Sequence, residues 1–374
     1  MKIMHIADVH LDSAFSGFER DASDKKREQL RNCFASAMER AREMGVSLIL
    51  IAGDLFDTPF CSAATRKSVF DAIESAGCPV VIAPGNHDYY NKNGTYADKN
   101  LPDNAFVFTS SELGRFDFDE LGVSVLGYAF TSDKYEENPL ASDVPLSSEN
   151  INILCAHADL GAPFSKYAPI SANAIARGGF VYAALGHVHN PPSPIMAGNT
   201  VIAYSGFAQG RSFHELGEGG VYVIDLDREN KSVDLERVPL ASLVYRIEAL
   251  DITACTSDDQ VKTKMRELIE IKEINENTAL RIVLKGAIPS GYNVNEAALE
   301  NDTAFSSLAL LQVRNESVAN FDLEYLERDM TVRGEVYRQL LPLLNSEDDE
   351  ERKKASLALK FALAALDKRE FGVD

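Results

Sequence analysis

The sequence predicts an α/β protein, because apolar and polar segments alternate over residues 1–240. Several apolar runs are continuous, as expected for strands that are buried on both faces. Polar stretches with helical character lie between them, at about residues 20–44, 62–77 and 171–177. The strand-like runs are, in order, KIMHIAD, SLILIAGD, PVVIAPG, VSVLGYAF, NINILCAH, VYAALGH, TVIAYSG and GVYVIDLD. Such alternation along the chain is typical of the α/β class.

The pattern changes after residue 240, which predicts two further domains after the first one, residues 1–240. Residues 241–318 predict a small α/β domain with strands at Val244–Leu250, Ala279–Gly286 and Leu308–Arg314 and helices at Ser257–Ile271 and Val294–Leu299. Residues 319–374 predict helices. An apolar stripe at helical spacing is formed there by Ala355, Ala358, Leu359, Ala362, Leu363 and Leu366. The acidic run SEDDEE before it suits a helix N-terminus, where carboxylates meet the positive end of the dipole.

The composition is that of a soluble globular protein. The chain has 374 residues, of which 45% are hydrophobic and 25% charged, a length that favours two or three domains. No apolar run approaches the roughly 20 residues of a membrane span, and the stretch MKIMHIADVHLDS predicts a first strand rather than a signal peptide. The five cysteines are scattered and form no CxxC pair, which favours a cytoplasmic protein without disulfides.

The net charge of −20, from 37 basic and 57 acidic residues, counts against tight binding to naked nucleic acid. That affinity comes largely from Lys and Arg side chains that neutralise phosphates. Phosphate-containing substrates stay open, because bound metal ions can be the largest local charges in a site. Candidate basic contacts are few. Lys25, Lys26 and Arg27 form one cluster, for which a solvated helix face is the simpler interpretation, and Arg211 lies in a loop at a strand end.

Side chains with metal-binding chemistry stand where the predicted strands end. Of the seven histidines, five directly follow or end an apolar run: His10, His87, His157, His187 and His189. Asp8 and Asp54 occupy the same kind of position. Ligands of open α/β sheets bind outside the carboxyl ends of the strands, so we expect these side chains to converge. In extended chain, the i, i+2 pairs Asp8–His10 and His187–His189 each direct two side chains to one side.

The candidate ligands suit two metal ions better than one. Two carboxylates, four imidazoles and one amide oxygen make up the set: Asp8, Asp54, His10, His157, His187, His189 and Asn86. This exceeds a tetrahedral zinc site but fits two metals that share a bridging carboxylate. Nitrogen and oxygen ligands without thiolate favour Mn, Fe or Zn. A single histidine at a strand end is more often a capping or packing residue, so the prediction depends on the joint occurrence. His5 is predicted to pack inside the first strand, and His214 to be structural or exposed.

The ordered motifs DVH, GD, GNHD, CAH and GHVH resemble those of the calcineurin-like metallophosphoesterases. Two longer stretches, HIADVHLDSAFSGF (residues 5–18) and YSGFAQGRSFHELGEGG (residues 204–220), are similar to the SbcD-type DNA repair exonucleases, and most of all to their YhaO-like subgroup. That subgroup usually has Lys before the final Gly, where this chain has Gly219.

The resemblance implies a four-layer α/β/β/α sandwich, in which helices flank two packed mixed sheets, with a two-metal centre at the strand ends. Manganese is the family's usual metal. One ion would be bound by Asp8, His10, Asp54 and His189. The other would be bound by Asp54, Asn86, His157 and His187, with Asp54 as the bridge.

The resemblance also assigns roles around the scissile phosphate. His87 would act there as a cation or general acid, and Asp57 would orient it. Asp88 is interpreted as a turn former. Related protein phosphatases carry Arg directly after the residue equivalent to Asp57, and this chain has Thr58–Pro59. The difference favours phosphodiesters over phosphoproteins.

Three functions compete at this point. The leading one is a Mn-dependent DNA phosphodiesterase of DNA repair, an exonuclease with endonuclease activity as an option. Residues 241–318 would cap the site and present DNA, and the C-terminal helices would contact an SbcC-like coiled-coil ATPase. The acidic surface implies that DNA engagement depends on this partner or on a homodimer. The alternatives are hydrolysis of a small phosphodiester, such as a cyclic nucleotide, and a non-catalytic architectural subunit. The roles of Arg211 and His214 stay open.

Overall fold

The computed structural model describes residues 1–16, 19–141, 144–289, 292–320 and 323–366. Contacts divide the chain into two units, Met1–Tyr245 and Arg246–Asp374. The predicted domain boundaries at residues 240 and 318 stay predictions. Gly17 and Phe18, and residues 321–322 and 367–374 of the predicted helical region, lie outside the described residues. In the part of the chain that is described, none of the helices has the length and apolar character that crossing a membrane requires.

The first unit contains the strands and helices that alternate in the sequence. Its strands are β1 (Lys2–Ile6), β2 (Val46–Ile51), β3 (Val80–Ile82), β4 (Ala105–Val107), β5 (Gly114–Phe118), β6 (Val123–Gly127), β7 (Ile151–His157), β8 (Asp159–Leu160), β9 (Pro169–Ile170), β10 (Tyr182–Gly186), β11 (Ile195–Ala197), β12 (Thr200–Tyr204), β13 (Gly220–Asp227) and β14 (Ser232–Pro239). Its helices are α1 (Arg20–Glu43), α2 (Ala63–Ser75) and α3 (Ala172–Arg177). Each predicted strand and helix of this region is present, with ends that differ by a few residues.

Two mixed six-stranded sheets form the centre of this unit. The first has the order β14-β13-β1-β2-β3-β4 and the second β11-β12-β10-β7-β6-β5. The strands β1 to β4 are parallel to one another, as are β6, β7, β10 and β12. The edge strands β14, β11 and β5 pair antiparallel with their neighbours. The carboxyl ends of the parallel strands therefore lie together within each sheet.

The central strands are buried on both faces, which explains their continuous apolar runs. Side chains alternate between the two faces of a strand. In β2, Leu48 and Leu50 belong to the core between the sheets, whereas Ile49 and Ile51 belong to the core under the helices.

Helices cover the outer faces of the sandwich. Phe34 and Met38, four residues apart on α1, pack in the same core as Ile49. On the opposite side, Ile175 of α3 packs with Leu154 and other residues of the second sheet. The predicted architecture of two mixed sheets flanked by helices is confirmed.

The second unit is built mainly from the smaller α/β segment and the C-terminal helices. Its strands are β15 (Val244–Asp251), which begins at the end of the first unit, β16 (Thr278–Lys285), β17 (Ala287–Pro289), β18 (Leu310–Asn315) and β19 (Val318–Asn320). Its helices are α4 (Asp258–Ile271), α5 (Glu296–Glu300), α6 (Leu323–Arg328), α7 (Val332–Leu344) and α8 (Asp349–Leu366). A three-stranded sheet has the order β15-β16-β18, and β17 pairs with β19. The predicted helical region therefore begins with the strand β19.

The C-terminal helices pack around a small core of their own, which includes Leu326 and Tyr337. In α8, Ala355, Leu359 and Leu363 of the predicted stripe are buried. Ala358 and Leu366, also assigned to the stripe, are exposed, because the covered face follows a spacing of four residues. The acidic run does begin a helix, since Asp349, Glu350 and Glu351 occupy the first turn of α8.

Candidate metal centre

The predicted site residues follow the carboxyl ends of five parallel strands. Asp8 and His10 follow β1, Asp54 follows β2, Asn86 and His87 follow β3, His157 ends β7, and His187 and His189 follow β10. The first three strands lie in one sheet and the last two in the other. These ends meet, since His10 contacts His189 and Asn86 contacts His157 across the two sheets.

The backbone at these positions is not extended. The prediction that an extended chain directs the two side chains of Asp8–His10 and of His187–His189 to one side was therefore wrong. Asp8, His10 and Asp54 have left-handed φ angles of 51°, 50° and 50°, and His187 has a φ of 111°. The strands β1 and β2 have already ended before these residues. The loops that follow them are joined by backbone hydrogen bonds from Asp8 N to Gly53 O and from His10 N to Asp54 O. Positive φ in non-glycine residues is uncommon and clusters at functional sites.

One cluster joins Asp8, His10 and His189. The Nε2 atoms of His10 and His189 are 3.1 Å apart, and Asp8 Oδ1 lies 3.9 Å from His189 Nε2. Each Nδ1 faces a carboxylate: Asp57 Oδ1 at 3.0 Å for His10 and Glu215 Oε1 at 2.8 Å for His189. Since a carboxylate accepts, each ring carries its proton on Nδ1. The two Nε2 atoms are thereby directed at one another.

A second cluster joins Asp54, Asn86 and His157. His157 Nε2 lies 3.0 Å from Asn86 Oδ1 and 3.4 Å from Asp54 Oδ2. His157 Nδ1 donates to Ala52 O over 3.1 Å. Asp54 Oδ2 is also 3.7 Å from His10 Nε2, so this carboxylate oxygen lies between the two clusters. We expected Asp54 to bridge two ions, and this position fits that expectation.

His187 lies beside the second cluster. Its backbone N–H donates to Asp8 Oδ1 and Oδ2 over 3.1 and 3.2 Å. Its ring centroid is 5.1 Å from that of His157 and 4.8 Å from that of Tyr167. Burial, and then the charge of His157, lower the pKa of His187 to about 4, which favours the neutral imidazole that binds metals.

His87 differs from the other site residues in its exposure. Its side chain is 46% exposed, whereas those of His10 and Asp54 are 1% and 2% exposed. Its ring centroid is 4.8 Å from that of His10, and its backbone N–H donates to Asp54 Oδ1 over 3.0 Å. The imidazole therefore stands at the open side of the buried ligand cluster.

Asp57 touches two histidines, and not equally. Its Oδ1 accepts from His10 Nδ1 over 3.0 Å and lies 3.7 Å from His87 Nδ1. Burial raises the pKa of Asp57, but the hydrogen bond from His10 and the charges of His10 and Arg211 outweigh it and lower the pKa. The expected partner of His87 thus makes its hydrogen bond to His10.

Asp88 is fully buried and organises the loop. Its carboxylate accepts from the backbone N–H groups of Gly85 (2.7 Å), Phe56 (3.1 Å) and Asp54 (3.2 Å), and from the hydroxyl of Tyr96 (2.5 Å). It therefore holds the turn after β3, as predicted, and ties it to the loop after β2.

Two glycines allow the close approach of these loops. A Cβ on Gly53, whose φ is +88°, would lie 2.2 Å from His157 Nδ1. A Cβ on Gly85 would lie 2.3 Å from Asp54 Oδ1. Both distances are far below van der Waals contact, so a larger residue would displace a ligand.

Glu215 was not predicted, although it contacts the site. It is 4% exposed, and its carboxylate binds both His189 and Arg211. Burial raises its pKa, but the hydrogen bonds from His189 and Arg211 lower the pKa to about 2. The segment RSFHE places opposite charges four residues apart, which is also common on solvated surfaces, so the sequence carried no specific signal. His214 is exposed, and His5 is buried, as expected.

The site chemistry fits divalent cations. Three groups of donor atoms lie within 4.8 Å of one another: Asp8–His10–His189, Asp8–Asp54–His157 and His10–Asp54–His87. Burial raises the pKa of Asp8. For Asp54, burial acts in the same direction, but the charges of His157 and His10 outweigh it and lower the pKa. Two buried carboxylates next to converging imidazole nitrogens each accept a backbone N–H, from His187 and His87, and their negative charge and remaining lone pairs suit a cation.

Comparison with known proteins identifies this class. Residues 1–191 match the family described as calcineurin-like phosphoesterase, and the chain belongs to that family. Its members hydrolyse phosphoester bonds and use a dinuclear divalent metal centre.

Individual relatives are similar at modest identity. An uncharacterized metallophosphoesterase, YhaO of Bacillus subtilis, is 25% identical over 77% of this chain and 72% of its own length. The DNA double-strand break repair protein Mre11 of Aeropyrum pernix is 28% identical over 66% of this chain and 63% of its own length. The SbcD component of the nuclease SbcCD of Staphylococcus epidermidis is 27% identical over 65% of this chain and 70% of its own length.

Proposed function

We propose that the protein is a Mn-dependent phosphodiesterase that acts on DNA, as an exonuclease and optionally an endonuclease in DNA repair. The observation that carries the proposal is the position of Asp54 Oδ2, 3.7 Å from His10 Nε2 and 3.4 Å from His157 Nε2. One buried oxygen between two sets of ligands is what a two-metal phosphoesterase requires. Relatives named as repair and nuclease proteins support DNA as the substrate.

Two ions would be held by the residues that the sequence assigns. Asp8, His10, Asp54 and His189 would bind one, and Asp54, Asn86, His157 and His187 the other. Bound cations of this kind lower the pKa of a water molecule and place positive charge next to the phosphate oxygens. Mn suits the mixture of nitrogen and oxygen ligands, and Fe or Zn would also fit.

His87 would act on the leaving oxygen. As an exposed imidazole beside the buried ligands, it can reach a bound substrate and donate a proton or positive charge. Asp57, 3.7 Å from His87 Nδ1, would stabilise the protonated ring. The hydrogen bond from His10 Nδ1 to Asp57 Oδ1 would hold Asp57 in place for this contact.

The surroundings of Asp57 support a phosphodiester substrate. The next residue, Thr58, is exposed and its hydroxyl donates to Phe60 O. A phosphomonoester carries one more negative charge than a diester, and this position offers no cation to neutralise it.

DNA binding would depend on a partner, because the net charge is −20. We propose an SbcC-like coiled-coil ATPase as this partner, with α6 to α8 as its contact. Apolar side chains near these helices support the proposal, since Met330 is 92% and Val332 65% exposed. Residues 241–318 would present DNA, a homodimer is a second route to tighter binding, and a cytoplasmic location stays a prediction.

The first experiment compares substrates in the presence of Mn. Linear duplex DNA, bis-p-nitrophenyl phosphate and cyclic nucleotides are incubated with the protein, alone and with the ATPase. We expect DNA cleavage that increases with the partner. Turnover of small diesters with no DNA cleavage, even with the partner, would instead support a small-molecule phosphodiesterase, which the acidic surface favours.

The second experiment tests His87. The variant His87→Asn should lower the rate of phosphodiester hydrolysis by about 10²–10⁴-fold, the usual contribution of a general acid. It should still bind Mn as the wild type does. The exposed His214 provides the matched control His214→Asn, which should keep full activity. Unchanged activity of His87→Asn, or loss of metal with it, would refute the assigned role. A protein that binds Mn and hydrolyses no phosphodiester would favour the architectural alternative.

A further inference from the structure

Arg211 and Glu215 form a tight ion pair in the loop between β12 and β13. Arg211 Nη2 donates to Glu215 Oε1 over 2.6 Å, Nε donates over 3.0 and 3.2 Å, and the backbone N–H of Arg211 donates to Oε2 over 2.7 Å. Their side chains are only 18% and 5% exposed. A buried pair with so many hydrogen bonds has a defined geometry, unlike a pair on the surface.

The pair reaches both imidazoles that face each other in the first cluster. Glu215 Oε1 accepts from His189 Nδ1 over 2.8 Å. Arg211 Nη1 lies 3.5 Å from Asp57 Oδ1, and the same Asp57 oxygen accepts from His10 Nδ1 over 3.0 Å. Arg211 therefore joins the two carboxylates that orient His189 and His10.

Arg211 is poorly placed to bind a substrate phosphate. Its Nε and Nη2 donate to Glu215, and its Nη1 donates to Ser13 Oγ over 3.1 Å and to Asp57. The loop itself is held, since the Tyr245 hydroxyl donates to Arg211 O over 3.1 Å and accepts from Lys26 Nζ over 2.7 Å. The guanidinium thus serves the protein's own carboxylates.

We propose that Arg211 and Glu215 are positioning residues for one of the two metal ions, the one assigned to His10 and His189. The pair holds the two rings so that their Nε2 atoms converge. The inference rests on the metal centre of the proposed function. It deepens that function, because it divides the centre into one site supported by an ion pair and one supported by the backbone, where His157 Nδ1 donates to Ala52 O.

The test is Mn binding to the full chain, measured by electron paramagnetic resonance of the free ion during titration. In Glu215→Gln we expect one of two Mn sites to weaken by about 10–100-fold, the usual effect of losing an outer partner of a metal-bound histidine. The other site should change by less than about threefold. Glu218 lies in the same loop and is exposed, so Glu218→Gln makes the same chemical change and should bind both ions as the wild type does.

A second variant separates positioning from folding. Arg211→Gln should weaken the same site, and the double variant should lose little more than either single one, because the two residues act as a unit. Circular dichroism and the melting temperature of the metal-free proteins report folding. Two unchanged Mn sites in Glu215→Gln, or equal weakening of both sites, would overturn the proposal.

Metal binding and hydrolysis are measured separately, so the two proposals can fail separately. A wild type that binds two ions and hydrolyses no phosphodiester refutes the proposed function, and selective weakening in Glu215→Gln would still support the positioning pair. A wild type that binds fewer than two ions overturns both.

Discussion

His5 should make the protein lose stability in mild acid. It lies in β1 and is fully buried between the sheets, where its Nδ1 accepts from the Tyr182 hydroxyl over 2.8 Å and its Nε2 faces Leu185 O at 3.1 Å. A carbonyl only accepts, so the ring is neutral with its proton on Nε2. Burial lowers the pKa of His5 from its ordinary value of 6.5 to about 3.

The sign and size follow from this difference in pKa. Above pH 6.5 the ring is neutral in both states and costs nothing. Below pH 6.5 the unfolded chain binds a proton that the folded chain does not, so stability falls until the pH reaches about 3. One pKa unit corresponds to about 1.4 kcal/mol. We therefore expect His5 to remove about 2 kcal/mol of unfolding free energy between pH 7 and pH 5.

The assay is urea unfolding of the metal-free protein at pH 7 and pH 5, followed by circular dichroism. His5→Gln keeps a donor and an acceptor but does not titrate, so its loss between the two pH values should be smaller than that of the wild type by about 2 kcal/mol. The exposed His214 gives the control His214→Gln, which should behave as the wild type does. Equal pH dependence in His5→Gln and the wild type would refute the reasoning.

Two further predictions concern the loops and the ions. Gly53→Ala should weaken Mn binding by at least about tenfold and destabilise the fold by about 2 kcal/mol or more, because its Cβ would lie 2.2 Å from His157 Nδ1. The control is Gly161→Ala, which should keep both Mn sites, since Gly161 has a similar φ of +84° and nothing within 4 Å of an added Cβ. Equal metal affinity in the two variants would contradict this account. Chelation of the metal ions should lower the melting temperature and added Mn should restore it, because the ions neutralise the buried Asp8 and Asp54. At a Mn concentration 100 times the dissociation constant, the free energy of unfolding should increase by about 2.7 kcal/mol. A melting temperature that does not respond to Mn would argue against bound ions.

Much of the fold could be predicted because burial leaves a strong pattern. Strands covered on both faces need apolar residues at most positions, and β2 and β7 show this in the runs LILIA and ILCA. The helices between them were identified from polar stretches. The stripe on α8 was less accurate, since Ala358 and Leu366 are exposed, because the covered face follows a spacing of four residues.

The site was predicted as a set of residues but not as a geometry. Side chains at the ends of parallel strands meet at one edge of a sheet, and the structure brings donor atoms of six of the seven ligand candidates into the two clusters. The ring of His187 lies beside them, 5.1 Å from that of His157, and belongs to none of the three donor groups. Metal binding by all seven stays a prediction. The turns that follow the strands could not be predicted from the sequence. The left-handed φ angles at Asp8, His10 and Asp54 are set by loops that pair only in the folded protein.

Sequence alone determined the α/β class, the family and the order of the strand-end motifs, because these depend on local pattern. In GNHD it predicted the turn role of Asp88, which the structure shows; the roles of Asn86 and His87 stay predictions. Only the tertiary structure decided that Asp57 bonds to His10 and that Glu215 supports His189. The first contact joins residues that are 47 positions apart in the chain, and the second joins residues that are 26 positions apart. Side chains so far apart meet only through the packing of two sheets and their loops, and no local pattern records which buried charge will face which ring.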